Sequence, residues 1–241
     1  HWSHEEALAS DAIIQHKAPY LNIPFFFIRM ILFFMAWTVM TRLLRKASLN
    51  EDKTGGLLNF EKSELLSKIH IFLLAITFSF ATFDWIMSLD VHWFSTIFSL
   101  RNFVAAFYHG TAVIALVVIL LHQKGHFPSL NKSHLIDFSR YIFMLSIVWG
   151  YFTFSQFMLI WYANIPEETI YFYERWHSGF KVIFYVNFFI NWFLPFTLML
   201  SQVTNKNIHV VKALAIVLIA GQYIDLYEQI FPTILHAPVF G

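Results

Sequence analysis

Six long apolar stretches, each about as long as a bilayer is thick, constrain this chain more than any other feature. They run over Asn22–Leu44, Ile69–Leu89, Asn102–Leu121, Leu135–Ala163, Phe180–Ser201 and Val210–Phe231. A hydrocarbon core of roughly 30 Å is crossed by about 20 helical residues. Lipid offers no water to the peptide groups, so each stretch must be a helix that bonds its own backbone. The expected fold is therefore all-α and membrane-integral. Charged residues make up only 13% of the chain, against roughly a quarter in a soluble domain, so its outer surface suits lipid. The expected division is an outer segment 1–21, a transmembrane bundle 22–231 with a loop 45–68 and an interfacial segment 90–101, and an outer segment 232–241.

Basic residues orient the helices. Eleven of the sixteen Lys and Arg residues follow the first, third and fifth stretches, among them Arg42, Arg45, Lys46, Lys124 and Lys206. The other side holds Lys17, Arg101, Arg175 and Lys181, and Arg29 lies within a span. The positive-inside rule then predicts a cytoplasmic 45–68 loop and both ends outside, the periplasm of a bacterial inner membrane. The chain opens at His1 without a signal-peptide pattern, which reads as an internal piece of a longer subunit with an odd number of spans ahead of it. Asp90–Leu100, with Trp93, Phe94 and Phe98, is too short to span and predicts a helix lying in the outer interface. Cysteine is absent, which excludes thiolate-held iron–sulfur clusters, covalent haem attachment and disulfides within the chain. No basic run or phosphate loop points to nucleic acid.

Ionisable groups inside a bilayer are costly and face a bundle interior or a water path. His70, Thr77 and Asp84 are spaced by seven and share one helix face. They read either as a proton-conducting stripe, or as an interfacial His70 with Asp84 paired to Arg29. In the last stretch Gln222, Asp225, Glu228 and Gln229 share a face, and two carboxylates one turn apart repel when both are ionised. Such a pair could take up a proton, or could mark a wet helix end. Tyr108 and His109 lie deeper in the third stretch, where a histidine can bond a quinone carbonyl, relay protons or be a structural hydrogen-bonding group. No facing histidine at similar depth is available for bis-histidine haem. Asn187 and Asn191, at i and i+4, suit interhelical hydrogen bonds.

Three segments carry a family resemblance. Lys17–Arg29 reads KAPYLNIPFFFIR, Asp84–Thr96 reads DWIMSLDVHWFST, and Phe154–Thr169 reads FSQFMLIWYANIPEET. Together they resemble the ActF-type membrane subunit of alternative complex III, a bacterial quinol:cytochrome c oxidoreductase, within the NrfD/polysulfide-reductase-like superfamily. The resemblance covers essentially the whole chain. It implies a protein of about ten transmembrane helices around two four-helix bundles, of which these six would be the fourth to ninth. It also implies an ActC-type paralogue, an iron–sulfur subunit, c-type cytochrome subunits and a terminal oxidase as partners. Haem c and the clusters would sit on those partners, with no redox cofactor on this chain, and menaquinol or another quinol would be oxidised at the paralogue. The expected role is scaffolding and proton conduction, with His70, Thr77, Asp84, Asp225 and Glu228 as the candidate pathway. Two other readings remain: a quinol-binding subunit with Tyr108, His109 and Arg29 forming a polar pocket, and a secondary transporter. Against the transporter, no span is broken by paired Gly and Pro, and Pro195 is the one proline deep in a span.

Overall fold

The computed structural model describes residues 2–3, 11–55, 57–177, 179–235 and 237–238. Among these it is helical without strands, and six of its helices are long and apolar enough to cross a membrane. The chain divides into two compact units, 1–92 and 93–241.

The first unit is a helical hairpin preceded by a short helix. Asp11 caps α1 (Ala12–Lys17) by accepting from the Ile13 amide at 2.8 Å. Asn22 caps α2 (Ile23–Thr54) by accepting from the Phe25 amide at 3.0 Å, and Pro24 fits the first turn, where its missing N–H costs nothing. The second long helix is α3 (Leu57–Trp85), followed by a 3₁₀ turn at Met87–Leu89. Residues 45–54 and 57–68 are thus helical, not a loop. They are two helix ends that meet at Gly55, whose φ of 62° needs a residue without Cβ. At 1.5 Å per residue α2 is roughly 48 Å long, well beyond a hydrocarbon core. Its last turns and the first of α3 are rich in Leu, Lys and Glu, which favour helix, and Lys68 bonds Glu64 at 2.6 Å one turn away.

The second unit is a four-helix bundle. Its helices are α4 (Thr96–Gln123), α5 (Lys132–Ala163), a broken fifth span, and α9 (Ile208–Ile230). The fifth span is assembled from α7 (Lys181–Phe188), one π-helical turn over Phe189–Phe193, and α8 (Leu194–Leu200). The interfacial helix expected at 90–101 does not form. Trp93–Ser95 is irregular, Thr96 already begins α4, and Trp93 is buried in protein against the ring of Tyr171, at 4.2 Å between centroids. Between α5 and α7 lies α6 (Pro166–His177), a short amphipathic helix where the sequence offers only turn signals. Asn164, left-handed at φ 48°, ends α5 and turns the chain into it. The core holds Ala105, Ala112 and Ala115 on α4 and Ala215 on α9, small side chains that let transmembrane helices approach closely.

Candidate functional site: two buried arginine–carboxylate clusters

In the first unit Asp84, near the end of α3, receives a two-pronged bond from Arg29 of α2. Nε lies 2.7 Å from Oδ2 and Nη2 lies 3.0 Å from Oδ1. The geometry follows from the planar guanidinium, which matches a carboxylate edge to edge. Arg29 also donates to the Tyr20 carbonyl at 3.0 Å, and its guanidinium carbon lies 3.9 Å from the Tyr20 ring centre and 4.2 Å from that of Phe25. Tyr20, in the segment before α2, has its phenol pushed up to about 12, by burial first and then by the negative charge of Asp84 and a hydrogen bond to it. Ser88 donates to the Asp84 carbonyl at 2.5 Å.

The second unit holds a larger cluster. Arg101 of α4 grips Asp225 of α9, with Nη1 to Oδ2 at 2.8 Å and Nη2 to Oδ1 at 2.5 Å. Asn187 and Gln229 add donors to the same carboxylate at 2.9 and 3.0 Å. Glu228 pairs with Arg175 of α6, Nε to Oε1 at 2.8 Å. Arg175 further donates to the carbonyls of Tyr171 at 2.7 Å and Gln229 at 3.1 Å, and lies over the Tyr171 ring. Burial raises the Tyr171 hydroxyl well above the ordinary phenol range. All four charged side chains are buried.

From Asp225 a line of amides runs into the bundle. Asn191 donates to Asn187 Oδ1 at 2.6 Å and to the Gly221 carbonyl at 3.2 Å. Asn191 Oδ1 meets His109 Nε2 at 3.0 Å, and His109 Nδ1 meets the Ala105 carbonyl at 2.6 Å. Two sequence features place Asn191. Pro195 has no N–H to offer the carbonyl four residues back, and Tyr108 donates to that Asn191 carbonyl at 3.2 Å. Gly221 lets α9 close onto the π turn, since a Cβ there would stand 2.5 Å from Asn191 Oδ1 and 2.8 Å from the Ile190 side chain.

The residues singled out in the sequence are placed as follows. Asp84 is held by Arg29, and Thr77 accepts from Trp37 Nε1 at 2.8 Å while donating to the Leu73 carbonyl at 2.7 Å. His70 is half-buried on α3, and its Nδ1 has no partner among the described residues. Asp225 and Glu228 each face an arginine, Arg101 and Arg175 respectively. Tyr108 and His109 both bond Asn191, and Arg29 bonds Asp84 and Tyr20.

Arg101 and Arg175, which by sequence fall among the charges of the outer connections, are buried partners of the site. The signal that could have found them is a match in number. Asp84, Asp225 and Glu228 are the acids in the six apolar stretches without a basic residue three or four positions away on the same helix, and Arg29, Arg101 and Arg175 match them in number. Among the described residues no three His, Asp or Glu side chains converge as metal ligands would. No protein-family model matches the chain, and no characterised protein matches it in sequence.

Proposed function

We propose that the chain is a membrane subunit of an alternative complex III-type quinol:cytochrome c oxidoreductase in a bacterial inner membrane. In that reading it scaffolds the complex and handles protons, and carries no redox centre of its own. The observation that carries the proton role is the buried run from Arg101 and Asp225 through Asn187 and Asn191 to His109. Burying charge and amide dipoles in a bilayer is expensive, and one ion pair would need no amide line leading away from it. The family reading is supported by the three segments that carry the resemblance, because they build or flank the two clusters. KAPYLNIPFFFIR supplies Tyr20, Phe25 and Arg29, and DWIMSLDVHWFST supplies Asp84 and Trp93. FSQFMLIWYANIPEET makes the corner from α5 into α6 that presents Arg175 to Glu228. The lack of cysteine makes partners necessary for electron transfer.

The reading is tested by purifying the native complex through a tag on this chain and identifying its other polypeptides. It predicts one with CxxCH haem motifs, one with cysteine-rich cluster motifs, and quinol:cytochrome c activity. A chain that purifies without haem or cluster polypeptides contradicts it.

A further inference from the structure

The hydrogen bonds of the second cluster have a compelled direction. Asp225 faces two N–H groups of Arg101 and one of Gln229, so its carboxylate is an acceptor. Asn187 must therefore turn its Nδ2 toward Asp225 and its Oδ1 toward Asn191. That fixes Asn191 in turn: Nδ2 points to Asn187 and Gly221, and Oδ1 points to His109 Nε2. The other ring nitrogen, Nδ1, faces the Ala105 carbonyl, which can only accept. Both nitrogens of His109 thus face acceptors, and both are satisfied only in the imidazolium. A neutral ring would set a lone pair against an oxygen.

We propose that His109, Asn191, Asn187 and Asp225 form a proton relay with two self-consistent hydrogen-bond directions, a mechanism that rests on the proton-handling role above. In the resting direction the proton is on His109 and Asp225 is ionised. In the reversed direction Asp225 O–H donates to Asn187, Asn187 Nδ2 donates to Asn191, and Asn191 Nδ2 donates to the bare Nε2 of a neutral His109.

One proton crosses each of three bonds to connect them. The His109 Nε2–H bond breaks as an O–H forms on Asn191. An Nδ2–H of Asn191 breaks as an O–H forms on Asn187, and an Nδ2–H of Asn187 breaks as an O–H forms on Asp225. His109 loses one proton and Asp225 gains one. Each amide is left as its imidic acid. Return of the hydroxyl proton to its own nitrogen, O–H breaking as N–H forms, restores the amide, and a half turn about Cβ–Cγ then sets the reversed direction. The path needs no water and covers roughly 12 Å, the eight-residue rise from Arg101 to His109 along α4. The charged and titratable groups around it are Arg101 and Tyr108 from α4, Arg175 and Tyr171 from α6, and Glu228 from α9. Arg101 favours the ionised Asp225, and the Gly221 carbonyl loses the Asn191 donor on reversal, so the resting direction is the lower one.

The test is nitrogen magnetic resonance of the full chain in lipid nanodiscs with ¹⁵N-labelled histidine at neutral pH, the His109 signal assigned by its loss in His109→Gln. The relay predicts protons on both ring nitrogens. In Asn187→Leu the chain is cut, Asn191 exchanges its bond to the Gly221 carbonyl for one to Nε2 by turning over, and the Nε2–H signal is lost. Asn191→Leu provides a second cut with the same expected loss, should the first variant fail to fold. A neutral ring in the unsubstituted protein overturns the relay whatever the variants do, and so does an imidazolium unchanged in a folded Asn187→Leu. Either result leaves subunit membership standing, whereas a chain purified without haem and cluster polypeptides removes membership and leaves the ring charge as measured.

Discussion

Every acid buried within the spans of this chain is met by arginine and none by lysine. The planar fork explains the choice, since it satisfies both carboxylate oxygens at once and stays charged where an ammonium loses its proton more readily. Such pairs are unforgiving of single losses, because the surviving charge is left buried and uncompensated at about 3–5 kcal/mol. Arg101→Met is therefore expected to destabilise the second unit by about that amount. Arg101→Met with Asp225→Leu should recover most of the loss, because the pair is then replaced by packed apolar groups. Reversible unfolding in mixed micelles measures both, and a double variant as unstable as the single one would contradict the pairing. At this scale the sequence was partly legible. The pairing of Asp84 with Arg29 was one of its two readings, because both fall near the same end of adjacent spans. Arg101 and Arg175 were not legible, because a charge near a helix end looks alike whether it faces solvent or the bundle.

The elements explain why the polar line is where it is. A regular helix through Pro195 would leave the Asn191 carbonyl without its usual amide. The π turn over Phe189–Phe193 absorbs the fault, and the Tyr108 hydroxyl takes up the carbonyl. Pro195 could be read from the sequence as the one proline deep in a span, but the π turn depends on what α4 and α9 present to it. The same holds for α6: it is too short and too polar to register as a span, and its Pro166–Glu168 start reads as a turn. Gly221 shows how tightly the elements meet. Gly221→Ala places a methyl against Asn191 and Ile190, and overpacking of this kind costs about 1–3 kcal/mol. The variant should melt at lower temperature in nanodiscs than the parent, whereas Gly110→Ala, where a Cβ meets nothing, should not. Equal melting of the two variants would mean that α9 does not approach the π turn this closely.

For the whole molecule, the six spans were legible because length and apolarity suffice to define a membrane helix, and the structure places a helix at each. The helix ends were not, since nothing in the apolar count says that α2 and α3 continue to Gly55. The ion pairs also sharpen the charge asymmetry behind the proposed orientation. With Arg101 and Arg175 neutralised inside the bundle, Lys17 and Lys181 are the basic residues left on the proposed outer side, against eleven on the other. Because the chain lacks cysteine, this can be read directly with single substitutions at exposed positions. In intact cells an impermeant maleimide should label Glu167→Cys and spare Ser48→Cys, and the reverse pattern would invert the orientation.

The central claim, that this subunit moves protons for a redox complex whose electrons travel elsewhere, is tested most directly by stoichiometry. The measurement is protons released per electron passed from quinol to cytochrome c by the complex in liposomes, compared between the parent and Asp225→Asn. The account predicts fewer protons per electron in the variant. The same ratio in both would contradict it.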